Sequence, residues 1–541
     1  MASVAADTAP SESGRTRMVI AASSAGTVFE WYDFFIYGTL AASGIIGRTF
    51  FPAGNETLQT LLAWAGFAVG FGFRPLGAIL FGYMGDRLGR KYTFLITITL
   101  MGLATAGVGL VPSAAAIGIA APVLIILLRI LQGLALGGEY GGAAIYVAEH
   151  SPPGRAGFYT SFVQASVGGG FVLSLAVVLG TKMVMSEADW DAWGWRVPFL
   201  ISILLLAISL WMRFKLSESP VFTAMKESGG CTANPFKESF TYPGNRKRLF
   251  VALFGIAAGL TVVWYTAMFS TLSFLQGTMR VEGTTAQLIV GAGALGGLGW
   301  FVLFGRLSDR VGRKKPIVIG YALTLMLLFP IFWVMGSAAN PEMEAAAARA
   351  PVRIERQSCE FDPFARRQAD LCGRVIGELA GLGVRYQFDL PAGKAAPAVE
   401  PLVVRIGGET HVLTDTGEIR PLLEAAGYRF EPVVPSAGNV ALLILAMLAI
   451  TALSGMTYGP VAALLSEMFP PRIRYSSMSI PYHFGTGYFG GFLPFIASYI
   501  VATTGDPYSG LWYTWGVVAM ALIVTWLWLP DGVEHRASGA A

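Results

Sequence analysis

Charge is scarce in this 541-residue chain: 13% of its residues are Asp, Glu, Lys or Arg and the formal net charge is only +4, against roughly 25% charged residues in soluble domains. The bases sit in short segments and form no broad patch, so no DNA or RNA partner is implied. Histidine occurs four times and cysteine three times. With no H-E-x-x-H string and no acidic cluster at ligand spacing, no metal site is expected. No nucleophile has a base at useful spacing, so neither a cofactor nor membrane-embedded transferase chemistry is expected. Residues 1–17 are polar and Ala/Ser-rich and lack a short apolar core with a small-residue cleavage site, so the first apolar run reads as a retained helix.

What is abundant is apolar: 54% of residues are hydrophobic and the mean hydropathy is +0.57. Apolar stretches of about 20 residues or more fall near 18–46, 57–82, 93–112, 119–148, 157–183 and 194–215, then 248–276, 284–306, 316–337, 438–466, 476–503 and 509–530. Twelve membrane helices in two sets of six are expected. The string Gly82-Tyr-Met-Gly-Asp86-Arg87-Leu-Gly89-Arg90-Lys91 returns 223 positions later as Gly305-Arg-Leu-Ser-Asp309-Arg310-Val-Gly312-Arg313-Lys314, each copy between two apolar runs. A second pair, Ala148-Glu149-His-Ser-Pro152-Pro153-Gly-Arg155 and Ser466-Glu467-Met-Phe-Pro470-Pro471-Arg472-Ile-Arg474, is offset by 318. The chain is an internal duplication, and the second half holds 95 extra residues between its two motifs.

That excess lies in 338–437, which carries 11 Arg/Lys and 14 Asp/Glu and no membrane-length apolar run. A small soluble α+β unit is expected there, with a hairpin turning on Gly407-Gly408 and a short helix then a strand over 419–434. Cys359 and Cys372 lie in it; an oxidising compartment favours their pairing, the alternative being two reduced thiols. Cys231 falls outside it and reads as free. Bases concentrate in alternate loops: Arg15 and Arg17, both motif turns, 215–248, and Arg472 with Arg474. The positive-inside rule therefore puts both termini in the cytoplasm and the insert outside. The expected order is a cytoplasmic tail (1–17), a six-helix bundle (18–216), a cytoplasmic loop (217–247), three helices (248–337), the insert (338–437), three helices (438–530) and a second tail (531–541).

Several strings together resemble the metabolite:proton symporter branch of the major facilitator superfamily. These are Gly26-Thr-Val-Phe-Glu30-Trp31-Tyr32-Asp33-Phe34-Phe35-Ile-Tyr37-Gly38, Phe73-Arg74-Pro75-Leu-Gly77, the duplicated turn, Arg129-Ile-Leu-Gln132-Gly133, Gly137-Gly-Glu139-Tyr-Gly-Gly142 and Trp193-Gly-Trp195-Arg196-Val-Pro198. The resemblance implies two pseudo-symmetric six-helix bundles, alternating access and proton-coupled uptake of small organic acids or zwitterions. It does not extend to the insert.

The buried charges are read on their own terms. Ionisable side chains at membrane depth are costly and by default functional. At about 1.5 Å per residue, Glu30 and Asp33 sit roughly 18 and 22 Å from the start of the first helix, and Arg74 and Glu139 about 14 Å from the same membrane face. Arg129 or Arg74, with Tyr32 and Gln132, is assigned to a substrate carboxylate, and Asp33 or Glu30, then Glu139, to the coupled ion. A proton is expected, sodium being the alternative, and fixed interhelical ion pairs remain the other reading of each. Asp86, Arg87, Gly89, Arg90, Asp309, Arg310, Gly312 and Arg313 are assigned to gating. Their expected partners are Glu149 with Arg155, or Glu467 with Arg472, each within its own half. Trp31, Tyr32, Tyr37, Trp264, Tyr265, Tyr482 and Tyr488 are candidate cavity or packing aromatics, and His483 is a relay or a structural histidine. Gly291-Ala-Gly293-Ala-Leu-Gly296 matches a dinucleotide fingerprint but follows no strand; close helix packing explains it. The expected function is secondary transport of a small organic acid, with a proline- or betaine-like zwitterion as the alternative substrate; a ligand-sensing receptor lacks any output domain.

Overall fold

The computed structural model describes residues 12–51, 56–88, 90–138, 140–149, 151–214, 235–356, 359–389, 401–470 and 473–531. Without water in the hydrocarbon layer a spanning segment must satisfy its backbone internally, and the apolar runs accordingly fold as helices. Among the described residues ten helices are long and apolar enough to cross a membrane: the second (Glu56–Phe81), fourth (Ala120–Gly137), fifth (Ala156–Met183), sixth (Gly194–Met212), seventh (Asn245–Thr278), eighth (Gly283–Val311), ninth (Lys314–Ala339), tenth (Ala437–Met468), eleventh (Arg474–Thr504) and twelfth (Leu511–Trp528). The third, Arg90–Leu110, carries the shorter apolar stretch Leu95–Leu110. The first, Glu12–Ala42, contains Glu30 and Asp33. It stops before the expected residue 46 because Gly44 takes a left-handed φ of 75° and a separate short helix, Ile45–Phe50, begins. The fourth also breaks, after Gly137, and resumes as Tyr140–Glu149.

The first and fifth helices pack together in the N-terminal half, and the fifth runs against the eighth of the C-terminal half. The second meets the eleventh in the same way. Two helices of the C-terminal half depart from α geometry: the seventh has π-helical segments at Val251–Ala257, Thr266–Ser270 and Phe274–Thr278, and the eleventh one at Gly485–Gly491. Such bulges recur at functional sites.

The segment after the ninth helix builds a unit with its own core. Helices α1 (Pro341–Arg349), α2 (Leu371–Leu382) and α3 (Ile419–Ala425) pack on a sheet of β1 (Val352–Ile354), β2 (Tyr386–Phe388), β3 (Leu402–Ile406) and β4 (Glu409–Leu413). The sheet order is β2-β1-β3-β4, with β1 parallel to β2 and antiparallel to β3. Val352, Ile354, Val375, Leu379, Val404 and Leu423 are buried between the layers. The β3–β4 hairpin turns at Gly407, φ 64°. Cys359 and Cys372 are joined, their Cα atoms 5.6 Å apart. The strand expected near 434 does not form; Val433 makes a single bridge to Val281 at the end of the seventh helix instead. Cys231 lies outside the described residues.

Candidate functional site

Glycines set the geometry of the N-terminal half. A Cβ on Gly133 would lie 1.8 Å from the Gly70 carbonyl oxygen, one on Gly77 2.1 Å from that of Leu134, and one on Gly137 2.1 Å from that of Arg74. The second and fourth helices therefore touch backbone to backbone, and only glycine permits it. This contact brings Arg74 and Arg129 into one layer. Both are fully buried. The Arg129 guanidinium lies over Phe34 and Tyr37, 4.2 and 4.5 Å from the ring centroids, and Arg74 lies 5.1 Å from Trp31 and 5.2 Å from Phe71. Ring faces attract such cations, which lowers the cost of holding them in an apolar interior.

A polar chain runs on from Arg129. Its Nη1 donates to Gln132 Oε1 (2.7 Å), Gln132 Nε2 donates to Thr105 Oγ1 (2.7 Å), and that hydroxyl lies 3.4 Å from the Asp33 carbonyl oxygen. Arg129 Nη2 and Asp33 Oδ1 are buried with no hydrogen-bond partner among the described residues. Glu30 is buried one turn away on the same helix. Tyr32 is turned away from the interface between the halves, its hydroxyl donating to the Pro198 carbonyl (2.6 Å). Tyr37 donates to Ala63 (3.2 Å) and packs on Arg129. The side chain of Glu139 lies outside the described residues.

Between the halves lies a closed-down cavity of about 10 Å³, on the order of one water. Its walls are Trp31 and Val167 from the N-terminal half, and Thr261, Trp264, Tyr265, Tyr458, Tyr482 and Thr486 from the C-terminal half. Tyr458 and Tyr482 share a 2.7 Å hydroxyl bond. Tyr488 is instead 44% exposed, its hydroxyl on the Gly72 carbonyl. Next along the eleventh helix, His483 is fully buried and neither ring nitrogen has a partner among the described residues. Sequence reasoning missed Tyr458, although the 318-residue offset relating Glu149 to Glu467 also relates Tyr140, beside Glu139, to Tyr458.

At the turn end of the bundle the C-terminal copy of the motif is a bonded cluster. Gly312 closes the eighth helix at φ 90°, a conformation glycine adopts freely. Arg313 donates to Asp309 (2.6 Å) and bidentately to Glu467 (2.7 and 3.2 Å). Burial works against the Arg313 charge, yet the bonds from Glu467 and Asp309 outweigh it and hold the guanidinium above its usual range. Asp309 also reaches across the halves, accepting from the Gly157 and Phe158 amides (2.8 Å each) at the start of the fifth helix, where free N–H groups and the helix dipole favour an anion. Gly157 and Gly305 face each other with no room for a Cβ on either. Of the partners expected for Asp86 and Arg90, Glu149 accepts from Arg474 of the other half (3.0 Å), and Arg155 is exposed beside the first turn of the fifth helix. Arg310 is exposed. The side chains of Asp86, Arg87 and Arg90, and residues Gly89 and Arg472, lie outside the described residues.

The comparisons with known proteins agree with this architecture. The sequence profile of the Major Facilitator Superfamily matches residues 23–346. The chain is 37% identical over 327 residues to the shikimate transporter of Escherichia coli (strain K12), covering 59% of this chain and 73% of that one. It is 37% identical over 335 residues to the glycine betaine/proline/ectoine/pipecolic acid transporter OusA of Dickeya dadantii (strain 3937), covering 60% of this chain and 66% of OusA. The partially occluded inward open structure of the xylose transporter XylE from E. coli covers 95% of this chain and 98% of its own with a TM-score of 0.60 at 16% identity, a likeness of fold alone. The chain belongs to the Major Facilitator Superfamily, in its metabolite:proton symporter branch, and is a multi-pass membrane transporter, not an enzyme.

Proposed function

We propose that this transporter carries a small organic acid into the cell together with a proton, across a bacterial inner membrane, with the charged turns and both termini facing the cytoplasm. The observation that carries the reading is the pair of buried guanidiniums, Arg74 and Arg129, on touching helices. Arg129 Nη2 is available to a carboxylate, and a planar guanidinium suits that group. Asp33 Oδ1 is buried without a hydrogen-bond partner among the described residues, so Asp33 is assigned the coupled proton, and Glu30 lies one turn away as a second acceptor. Substrate charge on the arginines and a proton on the acids then load together, and rocking of the halves carries both across. Shikimate, glycine betaine, proline, ectoine and pipecolic acid, the substrates in the names of the two relatives, all contain a carboxylate, which supports the anchoring role.

A second reading rests on the cavity walls. Five aromatic residues and no charged side chain line the small cavity between the halves, a surrounding that also suits a quaternary or protonated nitrogen. Uptake of labelled shikimate, 2-oxoglutarate, citrate, proline and betaine into proteoliposomes separates the two. Accumulation of acids without a cationic nitrogen, driven by a pH gradient and abolished by a protonophore, is the expected result. Accumulation of betaine or proline alone selects the zwitterion, and dependence on sodium in place of the gradient overturns the proton.

A further inference from the structure

The unit within residues 341–428 is joined to the C-terminal half by several bonds and meets the N-terminal half where α2 faces the second helix. Its attachments to the C-terminal half are many and polar. Arg280, at the end of the seventh helix, donates to the Gly381 and Leu382 carbonyls (2.8 and 3.4 Å), the exposed acceptors at the C-terminus of α2. Among the described residues Arg280 is the one non-glycine with positive φ, 53°, a costly conformation that persists only where contacts hold it. Gly383, φ 72°, ends α2 so close to the seventh helix that a Cβ would lie 2.7 Å from the Thr278 carbonyl oxygen. Val433 exchanges backbone bonds with Arg280 and Glu282 (2.8 Å each). Glu344 accepts from Tyr508 (3.1 Å), between the eleventh and twelfth helices, and Phe364 stacks on Tyr499 of the eleventh, 5.7 Å between ring centroids.

Towards the N-terminal half the same unit presents the flat end of α2. Gly381 faces Thr57 on the second helix, with 3.9 Å between the position of an added Cβ and Thr57 Oγ1. No hydrogen bond joins them among the described residues. Beneath this contact lies a chamber of about 160 Å³ between the halves, walled by hydroxyl-bearing residues of both, including Thr60, Ser270, Ser273, Ser498 and Thr514, and roofed by Ala380 and Gly381. It opens at the bundle end opposite the Asp309 turn.

From this asymmetry we infer that the inserted unit is the outer gate of the transport path: it rides with the C-terminal half, and substrate enters when α2 parts from the second helix. The inference rests on the proposed orientation and not on the identity of the substrate. Gly381 has room for a side chain, so Thr57→Cys with Gly381→Cys forms a bond that ties the unit to the N-terminal half. Phe364→Cys with Tyr499→Cys ties it to the half it already rides with. In the full-length protein in proteoliposomes, oxidation of the first pair should lower uptake at least tenfold, with recovery on reduction, while the second pair, equally crosslinked by peptide mass spectrometry, should transport at its reduced rate. Labelling of Ser498→Cys by a membrane-impermeant maleimide gives a readout that needs no substrate; it should slow at least tenfold with the first crosslink and not with the second. Normal uptake and labelling through the 57–381 crosslink, equal inhibition by both crosslinks, or failure of 57 and 381 to crosslink would each overturn the gate. Labelling of Ser498→Cys only from the cytoplasmic side would overturn the orientation. Failure of every labelled compound to accumulate in the wild type, with labelling still governed by the first crosslink, would count against the proposed substrate and leave the gate standing.

Discussion

The Arg129 guanidinium is held in the apolar interior by the ring faces of Phe34 and Tyr37, one amide oxygen and the Gly66 carbonyl (Nε to oxygen 3.4 Å). A lysine cannot spread over two rings or donate from a planar fork. Arg129→Lys should therefore raise KM for a carboxylate substrate more than tenfold, with kcat reduced less, and an unchanged melting temperature would separate this from misfolding. If KM is unaffected while the protein stays folded, the guanidinium is structural. Asp309 presents the same question at the turn end of the bundle. It accepts two amide bonds across the halves and one from Arg313, each charge-assisted bond contributing about 1.5–3 kcal/mol. Asp309→Asn keeps one acceptor and loses the charge, so uptake should fall tenfold or more, a loss of about 1.4 kcal/mol per decade. Glu149→Gln likewise keeps an acceptor but removes the charge from a single bond to Arg474 near the surface, worth about 0.2–1 kcal/mol, and should cost less than fivefold. The ranking of the two variants, read by uptake rate, is the test.

At the scale of the element, the crossing of the second and fourth helices depends on absent side chains. Gly133→Ala puts a methyl group 1.8 Å from a backbone oxygen, which neither helix can yield without separating the two arginines. A loss of about 3 kcal/mol or more is expected, seen as a lower melting temperature in detergent. Gly180→Ala, on the fifth helix with nothing within 4 Å of the added carbon, should leave stability unchanged or slightly raised. The start of the eighth helix carries a pH-dependent term. Burial raises the Glu282 carboxyl, but bonds from the Thr284 and Thr285 amides (2.8 and 2.7 Å) outweigh it and hold the group below its ordinary range. A depressed folded value stabilises fully above the unfolded value, about 4.3, and is lost as pH falls through the lower folded one. The melting-temperature gap between wild type and Glu282→Ala should thus stay level from about pH 8 to 5 and narrow towards pH 3. These elements differ in how far they could be read in advance. Helix positions were legible because the bilayer demands a fixed apolar length, and the Gly77, Gly133 and Gly137 strings mark close approach. The pairing of Glu149 with Arg474 was not, since duplication suggests partners within a half whereas the bond depends on how the halves meet. Nor was the outward turn of Tyr488, which the residues bulging over Gly485–Gly491 shift off helical phase.

For the whole molecule, the structure holds cross-half links at both ends with little space between them. At the turn end these are Glu149 with Arg474 and Asp309 with the fifth helix. At the chamber end Lys182 of the fifth helix lies 3.8 Å from Glu282 and donates to Thr284 (3.2 Å) on the eighth. The fifth and eighth helices are thus tied at both ends and pack tightly along Gly157 and Gly305, so neither end opens without losing bonds that the other end keeps. If the halves rock as proposed, two opposed sets of links on this interface set the balance between states, and loosening either should move it in a known direction. Lys182→Met weakens the chamber end and should raise the rate at which an impermeant maleimide labels Ser498→Cys. Arg474→Gln weakens the turn end, shifts molecules towards opening there, and should lower that rate. Each link is partly exposed, so shifts of about twofold to fivefold are expected, matching roughly 0.4–1 kcal/mol, with the double variant near wild type because the two effects oppose. If both single variants speed labelling, the ends open independently and the halves do not rock as rigid bodies.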